Sequence, residues 1–445
     1  MSTEYAKKLV SGQEAAKAVK SNDIVAYGFF NGKPIQFDAA LAARKDELSN
    51  VHIYTAVTVP PVPEVAKYPG SFVYHDWQWS KLTRMLHQNV KKIYYSPILY
   101  YQAERLYRER IIPDTRVAAC QVCPMDEHGW FNLGPQNSET RAKMEEAEVV
   151  IVEVNKNMPV CLGGAMESIH LSEVDYIIEA PESQVLADVA GQQPSEMDRK
   201  IADNIMPFIH DGCCIQLGIG GMPNAVGHAI AQSDLKNLGG HTEMFVDAFV
   251  QMMESGRMNN AAKSFDRWRT AFTFAIGSQK MYAFLHRNPS VVSYNVGYTN
   301  DPYTIGRHDD FVSINNAVQV DLYSQVNAES EGYQQISGNG GMLDFVFGAQ
   351  LSKGGKSFIC LASTYTAKDG TLRSRIVPTF SPGSITTIPR QMADYIVTEY
   401  GAEQVRGKPT WMRAEMLIDL AHPRFRDDLV KEAEKMGIWR KSNKK

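Results

Sequence analysis

Cys213-Cys214-Ile215-Gln216-Leu217-Gly218-Ile219-Gly220-Gly221-Met222-Pro223-Asn224-Ala225-Val226-Gly227 is the stretch from which the fold is read. A short apolar run ends in a cluster of glycines, and the apolar spacing then changes to that of a helix through Ala225, Val226, Ala229 and Ile230. This is a strand, a glycine loop and a helix. Upstream, Ile201, Ile205 and Phe208 keep helical spacing until His210-Asp211-Gly212 stops them.

The same order of elements occurs near the start of the chain. Ser11 is a helix cap with Glu14 three residues on, a capping box, and Ala15, Ala16 and Val19 form the apolar face. Ser21-Asn22-Asp23 turns the chain into the strand Ile24-Val25-Ala26-Tyr27. Gly28, Gly32 and Pro34 follow, then a helix through Ala39, Ala40, Leu41 and Ala43. Later strands pair more loosely: residues 116–122 resemble 311–318, and residues 149–154 and 395–398 are two further buried-strand candidates. The expected architecture is α/β, with two related open domains, mostly parallel sheets and the active site at the domain interface. The boundary falls in the polar stretch Gly191-Gln192-Gln193-Pro194-Ser195, giving domains 1–190 and 191–445, the second carrying the principal candidate residue.

Composition narrows the function. A length of 445 residues suits two domains, and a net charge of −4 supplies no basic field for nucleic acid. No apolar run approaches the roughly 18 residues of a membrane span, and the first residues resemble no signal peptide, so a cytoplasmic protein is expected. Six cysteines are too few for a disulfide scaffold. Cys120-Gln121-Val122-Cys123 has no partner motif, so two buried thiols are expected there and no metal site.

Three segments carry candidate chemistry. Gly218, Ile219, Gly220, Gly221 and Met222 sit where backbone N–H groups and a helix N-terminus can meet a phosphate or a pantetheine amide; a plain tight turn is the alternative. A dinucleotide loop is a rival: it wants a ribose-binding acid about 20 residues on, and Glu243 lies 25 residues after Gly218, but Pro223 stands where that loop needs glycine. Asn237-Leu238-Gly239-Gly240-His241 also reads as no strand. Glu243 itself follows a flexible Gly-Gly and is flanked by Met244, Phe245 and Val246, which suggests an acid in a dry pocket; a surface salt bridge would be the ordinary account. The third segment, residues 335–345, holds Gly338, Gly340 and Gly341, whose N–H groups suit an oxyanion hole or a bare turn. Gly355-Lys356-Ser357 imitates a P-loop tail without its first glycine, and no G-x-S-x-G occurs.

The two glycine loops with Glu243 between them resemble the class I CoA-transferases, in their acetyl-CoA hydrolase/transferase and 4-hydroxybutyrate branch. The likeness runs along nearly the whole chain, through residues 123–129, 152–155, 216–220, 241–244, 319–321, 397–401 and 420–423. Residues 220–227, 298–301 and 438–440 look most like members acting on butyryl-CoA and acetate. The resemblance implies that Glu243 is a nucleophile forming a glutamyl-CoA thioester. It implies that Gly218 to Met222 line the CoA site, that Asn300 helps to hold the acyl or carboxylate group, and that Gly341, beside Gly340, is the oxyanion donor. Asn316 and Lys368 align with CoA-contacting positions. It further implies acyl-CoA and short-chain carboxylates as partners, no cofactor beyond CoA, and a homo-oligomer. A hydrolase with the same nucleophile, a nicotinamide dehydrogenase and a non-catalytic CoA-binding protein are the alternatives. Phe29, Phe30, Met125 and Trp130 are candidate pocket walls.

Overall fold

The computed structural model describes residues 2–90, 92–112, 114–180, 184–188 and 193–440. By its internal contacts the chain forms two compact units. The first is Met1–Ala190 with Glu243–Phe245 and Ala271–Asp301; the second is Gly191–Thr242, Val246–Thr270 and Pro302–Lys445. The sequence division at 190/191, whose junction lies outside the described residues, placed Glu243 in the C-terminal half. The contacts instead group Glu243 with the N-terminal residues, because Met244–Phe245 pairs in parallel with Phe274–Ala275.

In the first unit seven parallel strands lie in the order Ile93–Tyr95, Phe72–Asp76, Val51–Thr55, Ile24–Tyr27, Val117–Val122, Val149–Val154 and Tyr176–Glu179. Both faces are covered, which is why Val117–Val122 is buried at every position. Val117 and Ala119 pack on the face that holds Ala15, Phe37 and Leu41, whereas Ala118, Cys120 and Val122 pack with Phe131, Leu133 and Met144. Ser11 does cap its helix, accepting from Glu14 N, but that helix is only Gly12–Ala16. The expected return bond of a capping box is replaced, since the Glu14 carboxylate pairs with Lys17 at 2.5 Å.

The second unit repeats the plan. Gly239–Gly240, Cys214–Leu217, Phe311–Asn316, Lys356–Cys360 and Tyr395–Thr398 are adjacent and parallel, with Gly401–Gln404 antiparallel at the edge. Gly355-Lys356-Ser357 therefore leads into a strand, the opposite of a P-loop's place. Gly239 and Gly240 correct the sequence reading: they form a strand that pairs with Cys214 and Ile215, not a flexible lead-in. Their lack of side chains is steric. A Cβ on Gly239 would lie 2.5 Å from Lys263 Cγ, and one on Gly240 would lie 2.6 Å from Thr270 Cγ2. Lys263 is itself buried and donates to Gly240 O at 2.9 Å and Arg269 O at 2.7 Å.

In each sheet one strand has neighbours leading away on both sides, the switch point where open α/β sheets bind ligands. It lies beside Ile24–Tyr27 in the first unit and beside Cys214–Leu217 in the second.

Candidate active site

Glu243 and Asn300 belong to the same unit and meet there. Asn300 Nδ2 donates to Glu243 Oε2 at 2.7 Å. Two backbone bonds fix the glutamate, whose carbonyl accepts from Thr273 N at 3.0 Å and Phe274 N at 3.2 Å. Asn300 is fully buried and closes the short helix Val296–Thr299, with its N–H on Val296 O at 2.9 Å. Glu243 is half-buried, so it is less enclosed than its apolar neighbours in sequence suggested.

One wall beside this pair is aromatic. Phe29, Phe30, Trp77, Tyr100 and Phe274 form a buried cluster with Val296, and Met244 packs against it. Phe29 and Phe274 approach at 4.7 Å between ring centres, Phe30 and Phe274 at 5.1 Å. Phe29 and Phe30 follow the switch-point strand after Gly28, and Met244, the residue after Glu243, packs against the cluster that contains them. Of the other two candidate walls, Met125 packs against the far face of the first sheet. Trp130 lies 42% exposed, edge-on to His170, which makes it a surface residue.

A polar layer underlies the site, and nothing in its composition announces it. Gly134-Pro135-Gln136-Asn137-Ser138-Glu139-Thr140 would pass for a surface loop, yet Gln136 through Thr140 are all buried. Each has a partner. Gln136 Oε1 accepts from Phe29 N at 3.0 Å, Ser138 N donates to Thr273 O at 3.1 Å, and Val296 N donates to Ser138 O at 3.0 Å. Glu139 pairs with the buried Lys143, which also donates to Tyr27 O at 3.2 Å. From another helix, Glu104 Oε2 accepts from Asn295 Nδ2 at 2.6 Å and Gly297 N at 3.0 Å. Burial raises the Glu104 pKa above the ordinary carboxylate value against the lowering effect of these bonds and of Arg108. The sequence reading missed all of these groups; only the tertiary contacts distinguish them from surface polar residues.

In the second unit the candidate CoA residues collect at the carboxyl edge of its sheet. Gly218 to Gly220 leave Cys214–Leu217, and Gly220 caps the helix Gly221–Gln232 with φ +126, a conformation that glycine favours. A Cβ on Gly218 would meet nothing within 4 Å, so that side of the loop is open. Ile219 is 47% exposed, an apolar side chain presented at the N-terminal end of that helix, whereas the side chain of Met222 is buried. Asn316 ends the adjacent strand, its Nδ2 3.8 Å from where a Gly220 Cβ would stand. Gly341 caps the helix Met342–Leu351, which connects two parallel strands and so starts at the same edge; Gly340 before it has φ +49. Gly338 is buried in the same loop. Lys368 is exposed at the tip of the hairpin Thr364–Thr366/Leu372–Ser374, which leaves the strand next to the one ending in Asn316.

Cys120 and Cys123 are both buried, and burial pushes the Cys120 thiol up to about 12, which makes it a poor nucleophile. Among the described residues no group of three or more His, Cys, Asp or Glu is arranged to hold a metal ion, and no helix is long and apolar enough to cross a membrane.

Comparison with known proteins agrees along the chain. Residues 1–187 match the acetyl-CoA hydrolase/transferase N-terminal domain and residues 277–433 the C-terminal domain. Butyryl-CoA:acetate CoA-transferase of Anaerostipes caccae is 49% identical over 99% of this chain and 99% of its own. Among solved structures, RipA from Yersinia pestis superposes with a TM-score of 0.90 at 34% identity, covering 98% of this chain and 99% of that one. The 4-hydroxybutyrate CoA-transferase of Porphyromonas gingivalis gives 0.79 at 31% identity, with the same coverage. With both of its domains matched and a relative this similar from end to end, the chain belongs to the acetyl-CoA hydrolase/transferase family.

Proposed function

We propose that this enzyme exchanges coenzyme A between short-chain acids, converting butyryl-CoA and acetate to butyrate and acetyl-CoA through a glutamyl-CoA thioester on Glu243. The observation that carries the reading is the 2.7 Å bond from Asn300 to the Glu243 carboxylate, in a chain 49% identical to a transferase of that name. A carboxylate nucleophile preserves the energy of the thioester. A Glu243 oxygen attacks the butyryl carbonyl, the C–S bond breaks, and CoA thiolate leaves an acyl–glutamyl anhydride. The thiolate then attacks the glutamyl carbonyl and expels butyrate. Acetate runs both steps in reverse, which restores Glu243. Each tetrahedral intermediate bears an oxyanion, the charge assigned to the Gly341 N–H. No cofactor beyond CoA is called for. The reading carries with it the homo-oligomeric state expected of the family.

Initial rates with butyryl-CoA and acetate varied together will give parallel double-reciprocal lines, because the first product leaves before the second substrate binds. Intersecting lines would exclude the covalent route. Release of free CoA without acceptor at the rate of transfer would make the enzyme a hydrolase.

The glycine loops divide the work in a way that kinetics can separate. Gly220→Val adds a side chain at φ +126 and blocks close approach of a ligand, so KM for acyl-CoA will rise. Gly341→Val will mainly lower kcat, by about 10²–10³ if its N–H serves the oxyanion. Parental kinetics in both variants would make these loops ordinary turns.

A further inference from the structure

We propose that Glu104 is a positioning residue for the transfer reaction: its buried carboxylate fixes the helix that presents Asn300 to Glu243. The proposal rests on the reading of Glu243 as nucleophile and goes beyond it in naming what aims the nucleophile's partner.

The helix Val296–Thr299 has four residues, too few to be stable alone. Its N-cap, Asn295, does not cap it: no side-chain cap bond is made, and the amide turns instead to Glu104 Oε2. That same oxygen takes the Gly297 N–H, and Ser138 O takes the Val296 N–H. Two N–H groups with no acceptor inside the helix are thus satisfied from elsewhere in the unit. A negative charge at this end also suits the helix dipole. Gly297 fits the arrangement, since a Cβ there would overlap Glu104 Oε2. Glu104 is 4% exposed on the helix Ala103–Arg108, with Oε1 3.6 Å from Arg108. Ser138 N in turn holds Thr273 O, and Thr273 N holds Glu243 O. Both partners of the Asn300–Glu243 bond therefore hang on one network, and Glu104 is the charged group at the Asn300 end.

The test uses the full-length enzyme. Glu104→Gln keeps the shape and removes the charge; Asn295→Ala keeps the charge and removes one of its donors. Each will lower kcat, Glu104→Gln by about tenfold or more, with KM for butyryl-CoA little changed, because a small misplacement costs rate more than binding. Combining Glu104→Gln with Asn300→Ala will give the rate of Asn300→Ala alone. A merely structural role would instead multiply the two losses. Parental kcat in a folded Glu104→Gln enzyme, or a multiplicative double variant, would overturn the proposal. If Glu104→Gln does not fold, the same cycle run with Asn295→Ala decides. Glu243→Ala is assayed in parallel. If it keeps turnover, the reading of the site fails; if it is inactive while Glu104→Gln is normal, only the positioning role fails.

Discussion

Glu243→Ala will abolish turnover and the covalent CoA adduct together. Parent enzyme incubated with butyryl-CoA and no acceptor will gain the mass of one CoA less one water, and borohydride will reduce that thioester to an alcohol and inactivate the enzyme for good. Untreated enzyme will survive borohydride. The variant will show neither adduct nor inactivation, and its rate will fall by about 10⁴-fold or more, the scale seen when a covalent nucleophile is removed. Glu243→Gln will behave almost alike: an amide can occupy the site beside Asn300 but is a poor nucleophile. Peptide mapping settles the position. An adduct on Glu127, Glu254 or a cysteine would refute the assignment even in an active transferase.

The second large effect is on stability. Lys143 and Glu139 form an ion pair whose side chains are 2% and 0% exposed. Lys143→Met will leave Glu139 buried without its cation, and breaking a buried pair from one side costs about 3–5 kcal/mol. Denaturant unfolding will show this as a lower midpoint. Adding Glu139→Gln will recover part of the loss, because no uncompensated charge then remains. A loss below about 1 kcal/mol for Lys143→Met would mean that water reaches Glu139. Because Ser138, next to it, links Thr273 to Val296, some loss of rate will accompany the loss of stability.

Where a segment was covered on both faces, its apolar run was legible: Ile24–Tyr27, Val149–Val154 and Tyr395–Thr398 are strands with the expected bounds. The glycine pair before Glu243 misled for a physical reason. Glycine breaks strands by propensity, but at Gly239 and Gly240 it is needed because Lys263 and Thr270 occupy the space a side chain would take. A strand there also makes the rival dinucleotide plan closer than it looked. The two plans part after that strand: Glu243 leads into the pairing with Phe274–Ala275, and its carboxylate meets Asn300, not a ribose site at a strand end.

By itself the sequence determined the repeated strand–glycine loop–helix units, the mostly parallel α/β class and the family, since period, turn chemistry and motif are local properties of the chain. It also marked Glu243 and the glycine loops as candidates by their local pattern, and Asn300 only through resemblance. That Asn300 reaches Glu243, that Met244 packs against the aromatic cluster holding Phe29 and Phe30, and that Glu104 and the polar stretch Gln136–Thr140 are buried were decided by tertiary structure alone. A hydrogen bond between residues 57 apart, or 191 apart for Glu104 and Asn295, leaves no trace in spacing. A polar side chain becomes a structural one only when folding withdraws it from water and supplies its partner.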